Sequence, residues 1–158
     1  MLQFGSGIAA VIFVCDRFTK WLVLDVWSLG DRIYEVAPFF NIVTVWNTGV
    51  SFGMLQSQSP TMPLLLSGLA LAIVVALFVW LRRAENRLMA FSLGLVIGGA
   101  IGNTFDRLMF GAVFDFLDFH VWGYHWPAFN VADTAIVVGV IALLYDGLVR
   151  PRQGDAET

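Results

Sequence analysis

Long apolar runs alternate with short polar segments along this chain, and the run lengths set its architecture. Leu2 to Leu24, Met62 to Leu81, Leu88 to Phe105 and Ala132 to Val149 are predominantly apolar. Each is close to the roughly 20 residues that carry an α-helix across bilayer hydrocarbon. The pattern therefore predicts an all-α integral membrane protein of four transmembrane helices in one domain, residues 1–158. Segments 25–61 and 106–131 lie outside the bilayer. Gly94, Gly98 and Gly102 recur every fourth residue in the third run, a small-residue ridge that lets a second helix approach closely. Between Val36 and Phe52, β-branched and aromatic residues replace the helical pattern. Two or three short strands are expected there, forming a small β-rich cradle at the membrane interface. Asn47-Thr48-Gly49 reads as a turn, and Trp27 and Trp46 as interfacial anchors.

Composition agrees with a membrane solvent. Of 158 residues, 58% are hydrophobic and 13% charged, about half the charge of a soluble domain. Net charge is −3 and no basic cluster exceeds three residues, which argues against a nucleic-acid partner. The single cysteine, Cys15, excludes an internal disulfide and reads as a small buried hydrophobe. No Lys or Arg precedes the first apolar run and no small-x-small site follows it, so it reads as an uncleaved anchor rather than a cleaved leader. Arg82, Arg83 and Arg87 in the tight turn, with Arg150 and Arg152 in the tail, outweigh the lone Arg32 of the 25–61 segment. Both termini are then expected in the cytoplasm, with both longer segments on the outer face.

Candidate chemistry gathers between Gly98 and Asp133. Asp106, Asp115, Asp118, Asp133, Arg107, Asn103 and Asn130 fall there, at the edge of two apolar spans. Polar groups at such a boundary are costly unless paired or functional. Asn130 and Asp133 have the spacing of a capping box opening the last span. An aspartate at a helix N-terminus is favoured as the charged base. Asp115 lies between Phe114 and Phe116, where a carboxyl tends to keep its proton. Two carboxyls in unlike environments are the parts of an aspartic protease, although by spacing alone Asp118 serves as well as Asp115. Asp16 and Lys20, at i and i+4, share a helix face as an interfacial pair or as support for a site. Asn103 and Asp106 share another, with Arg107 available to a carboxylate. His120 and His125 lack metal-ligand spacing, and no cofactor is called for. A proton- or cation-coupled transporter subunit and a structural scaffold are the alternatives. A relay, however, would put ionisable groups at the midplane, and the second span has none.

Five blocks in order carry a resemblance: Asp16-Arg17-Phe18-Thr19-Lys20, Asn47-Thr48-Gly49-Val50-Ser51-Phe52, Gly98 to Arg107, Val113-Phe114-Asp115-Phe116, and Phe129-Asn130-Val131-Ala132-Asp133. Together they resemble the bacterial lipoprotein signal peptidases, the signal peptidase II family. The resemblance implies a membrane aspartic endopeptidase of the bacterial inner membrane, working as a monomer with its active site at the outer leaflet. It would remove signal peptides from diacylglyceryl-modified prolipoproteins by cutting before the lipidated cysteine. It would contact membrane lipid and be blocked by globomycin-type inhibitors. It places the catalytic pair on Asp115 and Asp133. Asn103, Asp106, Arg107 and Asn130 become supporting residues, with Asn47, Gly49, Asp16 and Lys20 around the substrate groove. Arg17 stands where the family commonly has Gln and receives no role.

Overall fold

A computed structural model describes residues 1–49 and 61–149. Helix α1 covers Leu2–Trp21 and runs into a π-helical turn, Leu22–Val26; strands β1 (Tyr34–Ala37) and β2 (Phe40–Asn47) follow. After helices α2 (Met62–Leu81) and α3 (Arg87–Phe110) come strands β3 (Val113–Val121) and β4 (Tyr124–His125), and helix α4 (Val131–Val149) ends the described chain. Three of the helices, α2, α3 and α4, are long and apolar enough to cross a membrane. Asp16, Arg17 and Lys20 lower the hydropathy of the last turns of α1.

Helix α3 is the central element, buried along most of its length between α1 and α4. Its glycine ridge is what permits this. A Cβ on Gly98 would stand 2.6 Å from the backbone oxygen of Ala9, and one on Gly102 would stand 2.8 Å from Asp16 Oδ2. The ridge predicted for helix contact is thus the α1–α3 seam. Leu81, Ala90, Leu93 and Ile97 form the apolar core at one end. There Asn86 caps α3 by accepting the Met89 amide at 2.8 Å, and its side chain donates to Asp146 Oδ2 at 3.0 Å. Asp146 therefore ties α4 to the start of α3.

The strands form one antiparallel sheet in the order β1-β2-β3-β4. In the β2–β3 pairing Asn47 faces Val113, Val45 faces Asp115 and Asn41 faces Asp118, with a bulge between Ile42 and Val45. Val23, Leu29, Ile42, Phe114 and Phe116 pack as a second core against this sheet.

Several expectations need correction. The sheet is larger than the cradle expected between Val36 and Phe52, because half of it lies in segment 106–131. Strand β3 escaped notice because its first four residues are all buried. A strand covered on both faces loses the alternation that marks a half-exposed one. The third helix continues past Phe105 to Phe110, so Asp106 and Arg107 belong to its last turns. It stops at Gly111, whose φ of 75° is the left-handed conformation that glycine adopts at low cost. Cys15 is exposed rather than buried. Asp16 and Lys20 do pair, at 2.8 Å, but both are fully buried rather than interfacial.

Candidate active site

The capping box forms as its spacing predicts. Asn130 Oδ1 accepts the Asp133 amide at 2.9 Å, and Asp133 Oδ2 accepts the Asn130 amide at 3.3 Å. Asn130 is fully buried, and its side-chain amide reaches out of the cap. It donates to Asp115 Oδ1 at 2.7 Å and to Asn103 Oδ1 at 3.2 Å. One residue thus links the start of α4 to β3 and α3. The loop before it is held in place by Phe129, whose carbonyl accepts the amides of Phe116 and Leu117.

Asp115 is 2% exposed. Besides Asn130, it accepts from Asn47 Nδ2 at 3.2 Å, across the β2–β3 pairing. Asn103 donates to Asp133 Oδ1 at 2.8 Å. Burial, and then the neighbouring charge of Asp133, push the Asp115 carboxyl up from 3.8 to about 7, against the Asn47 and Asn130 hydrogen bonds and the Lys20 charge. The two aspartates therefore sense each other while differing in environment: Asp115 is sealed in the sheet, whereas Asp133 is half-buried at a helix start.

A second cluster stands behind this one. Lys20 Nζ lies 2.8 Å from Asp16 Oδ2 and 2.7 Å from Asp106 Oδ2, and donates weakly to Asn103 Oδ1 at 3.4 Å. Asp106 also accepts the Phe114 amide at 3.2 Å, and Asp16 accepts the Ala132 amide at 3.1 Å. Each carboxylate thus fixes the residue directly before a candidate catalytic aspartate. Arg17 pairs with the other oxygen of Asp106, and its guanidinium lies 4.8 Å from the centre of the Phe105 ring. Sequence reasoning gave Arg17 no role. Only the tertiary approach of α1 to α3 reveals it.

Arg107 does not pair with Asp106. Its Nη2 donates to the Gly49 carbonyl at 3.1 Å, while the Gly49 amide closes the turn onto Asn47 Oδ1 at 3.0 Å. The predicted Asn47-Thr48-Gly49 turn is thereby docked on α3. Asp118 goes elsewhere, accepting from Asn41 Nδ2 at 3.0 Å and meeting His125 Nδ1 at 2.8 Å. The His120 and His125 rings stack with centres 4.8 Å apart. Among the described residues no group of three or more His, Cys, Asp or Glu side chains could hold a metal ion. Phe52 and the rest of the 50–60 stretch lie outside the described residues.

Helices fit to span a membrane, capped by a sheet that seals one carboxyl beside another, define a membrane-embedded enzyme of the aspartic type. A family model described as signal peptidase (SPase) II matches residues 8–149. The lipoprotein signal peptidase of Nitrobacter hamburgensis is 45% identical over 157 residues, 95% of this chain and 96% of its own. That of Burkholderia thailandensis is 42% identical over 147 residues, 92% of this chain and 88% of its own. A bacterial membrane enzyme solved in meso at 2.3 Å superposes with a TM-score of 0.78 at 31% identity, over 91% of this chain and 87% of that one. Another, solved at 1.9 Å, gives a TM-score of 0.76 at 30% identity over 93% and 94%. The chain belongs to the signal peptidase II family of membrane proteases. Nothing in these likenesses supports a transporter.

Proposed function

We propose that this signal peptidase cleaves with Asp115 and Asp133 as its catalytic pair, cutting lipid-modified prolipoproteins just before the lipidated cysteine. The observation that carries the assignment is Asn130, which holds both aspartates at once. Asp133 is the charged base: it takes a proton from water as the water oxygen attacks the scissile carbonyl carbon. Asp115, protonated near neutral pH, gives its proton to the carbonyl oxygen. When the tetrahedral intermediate collapses, Asp133 passes its proton to the departing amide nitrogen and Asp115 recovers one from the gem-diol. Asn103 and Asn130 hold the carboxylates, Lys20, Asp16 and Asp106 fix the backbone beside them, and Arg107 holds the Asn47–Gly49 turn over the site.

The same reading puts α1 across the membrane as a fourth span, with both termini on the cytoplasmic side of the inner membrane. The site then lies at the outer leaflet, where the substrate's lipid and scissile bond sit. The arginine-rich 82–87 turn supports that orientation. Trp46, packed on Phe110 and Phe114, would help the sheet clamp the substrate. The protein would act as a monomer in contact with membrane lipid and bind globomycin-type inhibitors.

Cleavage of a lipidated prolipoprotein by purified protein in detergent tests the assignment. Asp115→Asn and Asp133→Asn should be inactive yet folded and still bind globomycin, while Asp118→Asn cuts normally. An active Asp115→Asn or Asp133→Asn enzyme would sink the assignment.

A further inference from the structure

Asp133 stands on a ridge between two recesses. One, of about 270 Å³, opens between α2, α3 and α4 and includes Asn103 and Arg107 in its wall. The other, of about 250 Å³, lies on the flank of α4, lined by Trp126, Phe129, Asp133, Thr134, Val137 and Val138. Phe129, Asp133 and Val137 belong to both walls, so the recesses share a dividing wall that carries Asp133. At 1.5 Å per helical residue, the flank recess reaches about 7 Å from Asp133 along α4 to Val138. Ile141 and Tyr145, 60% and 58% exposed, continue α4 beyond it as an apolar outer surface.

The two recesses differ in what they can satisfy. A peptide backbone brings N–H and C=O groups that need partners, and the interhelical recess offers the Arg107 guanidinium, whose buried Nε has no hydrogen-bond partner among the described residues. The flank recess is almost wholly hydrocarbon beyond Asp133, and its one hydroxyl, Thr134 Oγ1, is already bonded to the Asn130 carbonyl at 3.0 Å. A polar chain entering there would lose its hydrogen bonds, whereas an alkyl chain loses nothing.

We infer that the flank recess of Trp126, Phe129, Val137 and Val138 seats an acyl chain of the substrate's lipidated cysteine, beside the carboxylate that activates water against the neighbouring peptide bond. The inference rests on the proposed catalytic pair. Helix α4 then has two roles, its N-terminus working on the bond while its outer flank measures the lipid. The seat selects for chain length until the recess is full, after which added methylenes lie against α4 and the bilayer.

The test uses the full chain in detergent and prolipoprotein peptides whose cysteine carries either two butanoyl or two octanoyl chains. The octanoyl peptide should have the lower KM, by at most about fourfold for each added methylene that the recess takes from water, ending in a plateau. Val138→Trp, which fills the recess, should give both peptides the same KM, and Val138→Asn should narrow the gap between them. Ile141→Trp, further along the helix and outside the recess, should keep the wild-type preference. The inference is overturned if Val138→Trp and Val138→Asn retain the wild-type ratio of KM values. It is also overturned if Ile141→Trp abolishes the ratio equally, because the chains would then be held by a general lipid-facing surface. A wild-type enzyme that cuts neither peptide would instead break the peptidase reading underneath.

Discussion

Asp106 and Asp115 flank the junction of α3 and β3, both almost without solvent contact, at 0% and 2% exposure. They are held in opposite ways. Asp106 meets two cations, Lys20 at 2.7 Å and Arg17, so its charge is matched where it lies. Asp115 meets the side-chain amides of Asn130 and Asn47, at 2.7 and 3.2 Å. Amides orient a carboxyl without neutralising it, and burial, together with the charge of Asp133, keeps its proton to about pH 7. On the proposed mechanism the difference separates a carboxylate that builds from one that reacts: cation pairing fixes a charge, whereas amide holding leaves a proton free to move near neutral pH. The two are also coupled. Asp106 accepts the Phe114 amide, so the fixed charge locates the residue next to the movable one.

The sharpest test of this contrast is to remove each carboxylate and ask what is lost. Asp115→Asn and Asp133→Asn should lower kcat by roughly a thousandfold or more with the fold retained, since one member cannot both take the proton of the attacking water and protonate the carbonyl oxygen. Lys20→Met should act on the other side of the comparison. It leaves Asp16 without its buried cation, and breaking a buried pair in this way costs about 3–5 kcal/mol. Thermal unfolding in detergent should show that loss, together with reduced activity from a loosened Asn103. A stable Lys20→Met protein with normal cleavage would refute the structural role of the cluster.

What the residues made legible followed from how local each signal was. The α2 boundaries, the capping box at Asn130 and Asp133, the Asn47–Gly49 turn and the glycine ridge all depend on neighbours within a turn or two of chain. Strand β3 and the arrangement of cations do not. Val113 to Phe116 are buried on both sides by partners distant in sequence, and the spacing of charges could not say whether Asp106 would pair with adjacent Arg107 or with Arg17 on another helix. Asp118 shows the same limit. By spacing it rivalled Asp115, and spacing could not show the β2–β3 register, which sets it against Asn41 and near His125.

A third prediction uses the cost of placing Asp115 where it is. Because its proton is held more tightly in the folded state than at the ordinary 3.8, its contribution to stability is complete below about pH 4. That contribution fades as pH rises through 7. At pH 8 the wild type carries a buried charge that an amide would not. Asp115→Asn should therefore raise the unfolding midpoint at pH 8 by more than at pH 5, by up to a few kcal/mol. One of the two hydrogen bonds that Asp115 accepts is lost in exchange. Activity should run the other way, with kcat/KM of the wild type declining above about pH 7 as the pair loses its shared proton. A midpoint difference that does not change with pH would show that Asp115 carries no unusual proton.

The smallest effect is expected at Arg17, and it discriminates most finely. Its side chain is 21% exposed, and Asp106 keeps Lys20 and the Phe114 amide without it. Arg17→Gln still offers Asp106 an amide donor and gives up a partly solvated ion pair and the contact with Phe105. The expected cost is about 1 kcal/mol or less, with kcat unchanged. A double-mutant cycle with Lys20→Met makes the measurement decisive, since two cations on one carboxylate must couple if they share its charge. With Lys20 in place, removing Arg17 should be mild. With Lys20 gone, it should be severe, because Asp106 is then left buried with amide donors alone, as Asp115 is. Additive losses would mean that the two cations serve separate ends, and that the contrast between a fixed and a movable carboxylate does not originate in their pairing.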